Sequence, residues 1–134
     1  MCRINDRTSA ALLVDLKRRG LLDDTIVLWS GEFGRLPVAQ EGGSAHQPGR
    51  DHNKRARSLW LSGGGFKGGV TYGTTDEVGY ETVDKKVTTP DLFATIAHQM
   101  GLDHEGVSFP HAGRQETMSD ADTTGAHVLR ELIG

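Results

Sequence analysis

The chain has 134 residues and a formal net charge of -3, with 36% hydrophobic and 25% charged residues. That length fits one ordinary globular domain with room for a core, and the charge excludes the broad basic face that nucleic-acid binding needs. No apolar run approaches the roughly 20 residues of a membrane helix, and the stretch from Met1 to Arg7 does not read as a signal peptide. The single cysteine, Cys2, excludes an internal disulfide and leaves the redox compartment open. Glycine is the one deviation, at 18 residues gathered mostly in loops, where it permits positive φ and close backbone approach.

In chain order, residues 6–20 carry the pattern of an amphipathic helix capped by Asp6. Ala10, Leu13, Val14 and Lys17 run down one side, with Leu12 and Leu16 on the neighbouring stripe. Gly20 follows Lys17-Arg18-Arg19 as a terminating glycine, with cations against the negative end of the helix dipole. The continuous apolar run over 25–29 predicts a central strand covered on both faces. Residues 36–50 lose periodicity and read as a loop. A second strand follows over about 57–62, then a glycine-rich turn at 63–69 with its return near Val70-Thr71-Tyr72.

The mostly polar stretch 73–87 accommodates a small hairpin of 80–83 against 85–87. A second helix is expected over 90–100, capped by Thr89, with Pro90 in its first position and Gly101 ending it. Its apolar stripe is Leu92, Phe93, Ile96, Ala97 and Met100. Beyond residue 102 only 124–133 shows a weak helical pattern. The order indicates an α/β fold. Two or three strands do not complete a doubly wound sheet, and the domain reads as incomplete.

Chemistry concentrates in two clusters, Gly31-Glu32-Phe33-Gly34-Arg35 after the first strand and Gly49-Arg50-Asp51-His52-Asn53 before the second. Open α/β sheets bind ligands at the carboxyl ends of their strands, and carboxylate oxygen with imidazole nitrogen is a donor set for divalent ions. Glu32 is either a projected ligand or a surface carboxylate. Arg35 either anchors an anionic substrate or pairs with Glu32. Of the adjacent Asp51 and His52, one can ligand a metal while the other orients it. His46 is a reserve ligand.

Elsewhere the functional readings are weaker. His98 suits the C-terminal end of its helix, Asp103-His104 is a less favourable pair, and His111 and His127 have no supporting neighbours in sequence. The Gly63–Gly69 run lacks the order of a phosphate loop, Asp76, Glu77 and Asp84 lack calcium-loop spacing, and no Gly-x-Ser-x-Gly elbow occurs.

Taken together, Gly31-Glu32-Phe33-Gly34-Arg35, Gly49-Arg50-Asp51-His52, Leu61-Ser62-Gly63-Gly64-Gly65 and Thr89-Pro90-Asp91-Leu92-Phe93 resemble the large bacterial sulfatase-like family of unknown function in the alkaline phosphatase-like superfamily. The resemblance runs from about residue 3 to the end. It implies a partial alkaline phosphatase-like α/β/α sheet with flanking helices, lacking the N-terminal strands and the nucleophile that precede this region in such proteins. It also implies export or a periplasmic location, and a site in which divalent metals (zinc, manganese, calcium or magnesium) cleave phosphate or sulfate esters.

Within that resemblance Glu32 falls where an Asp-His ligand pair would begin, with Phe33 in place of the histidine, and His52 falls where the last histidine is expected. Glu32, Asp51 and His52 are then the metal residues, and Arg35 is the catalytic residue that meets the substrate anion. The resulting expectation is the C-terminal portion of a metal-dependent hydrolase, inactive alone, whose complete relative takes a small-molecule or glycan ester. An exposed sheet edge would favour self-association. The alternative is a degenerate, non-catalytic module for binding or envelope assembly. Nucleic-acid binding through Arg50–Arg57 is disfavoured by the acidic balance and the scarcity of aromatics.

Overall fold

The computed structural model describes residues 2–42 and 49–134. In chain order the elements are α1 (Cys2–Arg18), β1 (Val27–Ser30), β2 (Gly34–Ala39), β3 (Arg50–Asn53), β4 (Leu59–Ser62), β5 (Thr74–Thr75) and β6 (Thr82–Asp84). They continue with α2 (Thr89–Gln99), β7 (Ser108–His111), β8 (Arg114–Thr117), α3 (Ala121–Thr124) and a closing 3-10 turn at Arg130–Leu132. The fold is α/β in the general sense. Among the described residues the strands form four two-stranded sheets, β1 with β4, β2 with β3, β5 with β6 and β7 with β8. The last three are antiparallel. Among the described residues there is no continuous sheet of alkaline phosphatase-like topology.

The chain forms two compact units. The first comprises Met1–Val27, Leu61–Val70 and Thr88–Gly134, and the second Leu28–Trp60 and Thr71–Val87.

In the first unit α1 begins at Cys2, four residues before the expected cap. Asp6 lies inside the helix, because Thr8 donates its hydroxyl back to the carbonyls of Ile4 and Asn5 and the turn through Asp6 is continuous. Its other end matches the expected glycine stop: Gly20 takes φ +70°, its N–H donates to Lys17 and the N–H of Leu21 to Leu16, a Schellman closure. The apolar stripe of α1 is not buried, with Leu12 and Val14 close to half exposed.

The core of this unit is α2. Leu92, Ala94 and Ala97 are buried on it, and Ala126 and Leu129 are the other buried apolar residues among those described in the unit. The cap is Thr88, one residue earlier than the sequence suggested. Its Oγ1 accepts from the Asp91 N–H at 3.2 Å while the Asp91 carboxylate accepts from the Thr88 N–H at 2.8 Å, a reciprocal capping box. Asp91 is only 4% exposed and accepts two further hydrogen bonds, from Thr88 Oγ1 at 2.6 Å and from the His127 N–H at 3.1 Å. Thr95, fully buried, donates to the Asp91 carbonyl and accepts from the Leu129 N–H. Asp91 and Thr95 therefore tie the segment 127–129 to α2.

The glycine run does structural work in the same unit. A side chain at Gly63 would overlap the carbonyl oxygens of Leu22 and Thr25, and its φ is +75°. Gly64 donates to the Leu22 carbonyl and accepts from Gln99 Nε2 at 2.8 Å. Residues 108–117, which carried no sequence signal, form the β7–β8 hairpin with His111 opposite Arg114. Ala112 and Gly113 both have positive φ, 46° and 79°, as a type I′ turn requires. Alanine at the first turn position hides that hairpin from a search for Asn-Gly or Asp-Gly.

In the second unit β1 is not a covered central strand. Leu28 and Trp29 are 43% and 44% exposed, and Trp29 stacks on Trp60 with ring planes 2° apart. The expected loop over 36–50 begins inside strand β2, which continues to Ala39, and the hairpin partners are β5 and β6 rather than 80–83 and 85–87. Pro37 obscured β2: it cannot donate to a ladder and is tolerated at an edge, and the register is irregular between Arg35 and Ala39.

Burial alone would raise the pKa of Asp91, but the hydrogen bonds from Thr88 and His127 and the nearby His127 ring outweigh it and hold the carboxyl below its ordinary value. A depressed folded-state pKa adds stability above the unfolded value of about 3.9 that is lost as pH falls through the folded one. Asp91→Ala should cost about 2–4 kcal/mol at pH 7 through its unpaired donors. Asp91→Asn should flatten the loss of stability below pH 4, read from urea midpoints by circular dichroism at pH 7, 4 and 3.

Candidate functional site

The site is built on the turn after β1 and on the β2–β3 ladder, all in the second unit. β1 ends at Ser30, and Gly31-Glu32-Phe33 carries the chain into β2. Gly34 pairs with Asn53 and Arg35 with His52 across the ladder. That register requires glycine at 34, because a Cβ there would overlap the Ala56 carbonyl and lie 3.2 Å from the Arg57 Cα. Asn53 is 2% exposed and serves as the frame. Its amide donates to the carbonyls of Gly79 and Tyr80 at 3.1 and 2.9 Å, and its Oδ1 accepts from the Arg55 N–H. One buried side chain thus joins β3 to the turn at 79–80.

On this frame Glu32, Arg35 and His52 converge. Glu32 Oε1 lies 3.1 Å from His52 Nε2, Arg35 Nη2 donates to Glu32 Oε1 at 3.4 Å, and Arg35 Nη1 is 3.2 Å from His52 Nε2. Nε2 can donate to Glu32 or accept from Arg35 but cannot do both at once, so the imidazole tautomer decides which contact is a hydrogen bond. Glu32 is held below the ordinary carboxylate pKa first by its own backbone N–H and then by the His52 hydrogen bond, with the Arg35 and His52 charges adding to these. It is therefore an anion across the neutral range. All three side chains are substantially open to solvent.

Asp51 does not join them. Its Oδ1 accepts from the His52 N–H at 2.7 Å and stands 4.0 Å from His52 Nδ1, on the far side of the ring from Glu32. Phe33 meets the His52 ring edge-on, with centroids 5.6 Å apart. Beside the cluster lies a cleft of about 360 Å³ lined by Phe33, Leu36, His52, Asn53, Lys54, Arg55 and Tyr80. The Arg55 guanidinium stacks over the Tyr80 ring at 4.9 Å. Tyr80 carried no sequence signal for a site, and Asn53 entered only as the last residue of the second cluster, with no role of its own. The adjacency of Asn53 to Asp51-His52 was the one available hint.

Most of the remaining described candidates have local partners of their own. His46 lies outside the described residues. His98 is a half-buried residue of α2. His104 Nδ1 is 2.7 Å from the buried Ser119 hydroxyl, and Asp103 caps the Glu105 N–H. His127, read from sequence as unsupported, places Nδ1 3.2 Å from Asp91. His111 meets only Phe109 in a ring contact among the described residues.

A protein-family model matches residues 1–133, and its family is described as a protein of unknown function, DUF1501. The chain belongs to the DUF1501 family. The motif resemblance to the sulfatase-like family is corrected by this match: Glu-Phe-Gly-Arg and Gly-Arg-Asp-His lie in a DUF1501 chain, and no sulfatase-like family is found. No curated protein and no solved structure gives a significant match. No helix among the described residues is long and apolar enough to cross a membrane.

The donor set fits a divalent ion in part. Two neighbouring ligand atoms of an octahedral ion, each about 2.0–2.1 Å from it, stand about 3 Å apart, as Glu32 Oε1 and His52 Nε2 do. Among the described residues no three of His, Cys, Asp and Glu gather closely enough to hold a metal. Of the expected Glu32, Asp51 and His52, Glu32 meets His52 at Nε2, while Asp51 stands 4.0 Å from His52 Nδ1. The Arg35 guanidinium already supplies a positive charge to both donor atoms.

Gly34→Ala should destabilise the second unit by about 1–3 kcal/mol through overpacking. It should also separate Arg35 from His52. The fluorescence of Trp29 and Trp60, both in this unit, reports the unfolding midpoint, which should fall relative to a control substitution at the open Gly49.

Proposed function

We propose that Glu32, Arg35 and His52 form the ester-binding part of a metal-dependent hydrolase site acting on phosphate or sulfate esters. The observation that supports it is the 3.1 Å approach of Glu32 Oε1 to His52 Nε2 beside a guanidinium. Hard divalent ions keep several waters and are commonly bound by one or two carboxylates together with substrate phosphates, while imidazole suits transition-metal ions. Glu32 and His52 would be those ligands. An ion there would polarise the ester and neutralise charge developing on it. Arg35 would turn from Glu32 to the ester oxygens, for which its planar fork is suited. Asp51, bonded to the His52 N–H, orients the ring-bearing strand. A nucleophile is not among these residues, so the chain by itself should show little or no turnover.

A second reading is a non-catalytic anion-binding module. It is favoured by the pairing of Arg35 with Glu32, which balances the carboxylate's charge without an ion.

Titration with Mn²⁺, followed by the loss of its free electron paramagnetic resonance signal, separates the two. The hydrolase reading expects binding that phosphate strengthens, that Glu32→Gln with His52→Gln abolishes, and that Arg35→Gln strengthens severalfold by removing a competing cation. Wild-type binding no greater than that of the double variant would favour the non-catalytic module.

A further inference from the structure

The cleft beside the cluster offers a ligand two kinds of side chain. Phe33, Leu36 and Tyr80 supply apolar surface, and His52, Lys54 and Arg55 supply N–H groups. Phe33 and Tyr80 are 49% and 39% exposed, so both keep ring surface open to solvent. The Arg55 guanidinium lies 4.9 Å from the Tyr80 ring centroid, and Lys54 has no ion-pair partner among the described residues. Side chains that accept hydrogen bonds are scarce. No carboxylate lines the cleft among the described residues. The Asn53 amide is already committed to the protein, donating to the carbonyls of Gly79 and Tyr80 and accepting from the Arg55 N–H. His52 belongs to both the cleft and the cluster, so an ester held by the cluster lies next to these side chains.

We infer that the cleft takes the organic part of the ester and selects an aromatic ring over a sugar. This rests on the reading of Glu32, Arg35 and His52 as the ester end. An aromatic ring gains contact with Phe33 and Tyr80, and its π-face attracts the neighbouring cations. It asks for no hydrogen bonds in return. A sugar brings several hydroxyl donors, and burying an O–H without an acceptor is unfavourable. Lys54 and Arg55 add positive charge that no lining carboxylate offsets, which favours an anionic ester over the neutral alcohol it would release.

Calorimetric titration of the full chain with phenyl phosphate and glucose 1-phosphate, each with and without Mn²⁺, tests the inference, since the two esters share a charged group and a six-membered ring. The expected result is at least tenfold tighter binding of phenyl phosphate. Tyr80→Ser, at an exposed position, should reduce that preference severalfold, with folding checked by circular dichroism. A preference unchanged in Tyr80→Ser removes the cleft as its source and overturns the inference. Equal affinity for the two esters, with both lost in the Glu32→Gln, His52→Gln variant, overturns the cleft inference and leaves the ester end standing. A preference that persists in that double variant supports the cleft and removes the ester end. Failure of both esters to bind overturns the inference.

Discussion

Everything proposed for this site depends on one backbone register, the pairing of Arg35 with His52 across β2 and β3. The side chain of a strand residue alternates between faces, so a slip of one residue would send His52 to the face opposite Arg35 and dissolve the cluster. Two features fix the register. Gly34 alone among residue types permits the close approach of the Ala56 carbonyl, and the buried Asn53 amide fastens β3 to the carbonyls of Gly79 and Tyr80. The ladder is short and its side chains are open, so these backbone constraints matter more here than apolar burial.

The two units solve their stability problem differently. In the first, a capped helix buries small residues, Ala94 and Ala97, and its polar interior is fully bonded through Asp91 and Thr95. The cost of burying a carboxylate is offset by three donors at 3.1 Å or less, as a buried charge requires. In the second, Ala56 and Asn53 are buried among the described residues, and turns held by Asn53 and Asp76 take the place of a large apolar core. Such a unit keeps Glu32, Arg35 and His52 accessible.

The helices were legible because their signals are local. The Gly20 stop and the apolar period of α2 follow from residues within a few positions, and the error at the cap came from two adjacent threonines, Thr88 and Thr89, either of which can accept the bond. The strands were less legible because their partners are distant or their turn residues atypical: β2 hides behind Pro37, and the β7–β8 turn places Ala112 at positive φ. Reading Thr25–Trp29 as a covered strand assumed neighbours on both faces that the described structure does not supply. At the site, Glu32, Arg35 and His52 were visible as chemical types after a strand and before one. Their convergence, the exclusion of Asp51 and the part played by Asn53 and Tyr80 depend on strand register and on a contact across 26 or 27 residues, which no local pattern encodes. The family resemblance drawn from the same motifs led to the wrong family, since short polar motifs specify a local turn and its ligand types more readily than an ancestry.

The central claim, that Glu32 and His52 together accept a divalent ion, is tested most directly by paramagnetic broadening of amide resonances with substoichiometric Mn²⁺ in the presence of phosphate. The account predicts broadening centred on Glu32–Arg35 and Asp51–Asn53, absent when Glu32 and His52 are both replaced by glutamine. Uniform weak broadening, or broadening centred on the exposed carboxylates of another segment, would contradict it.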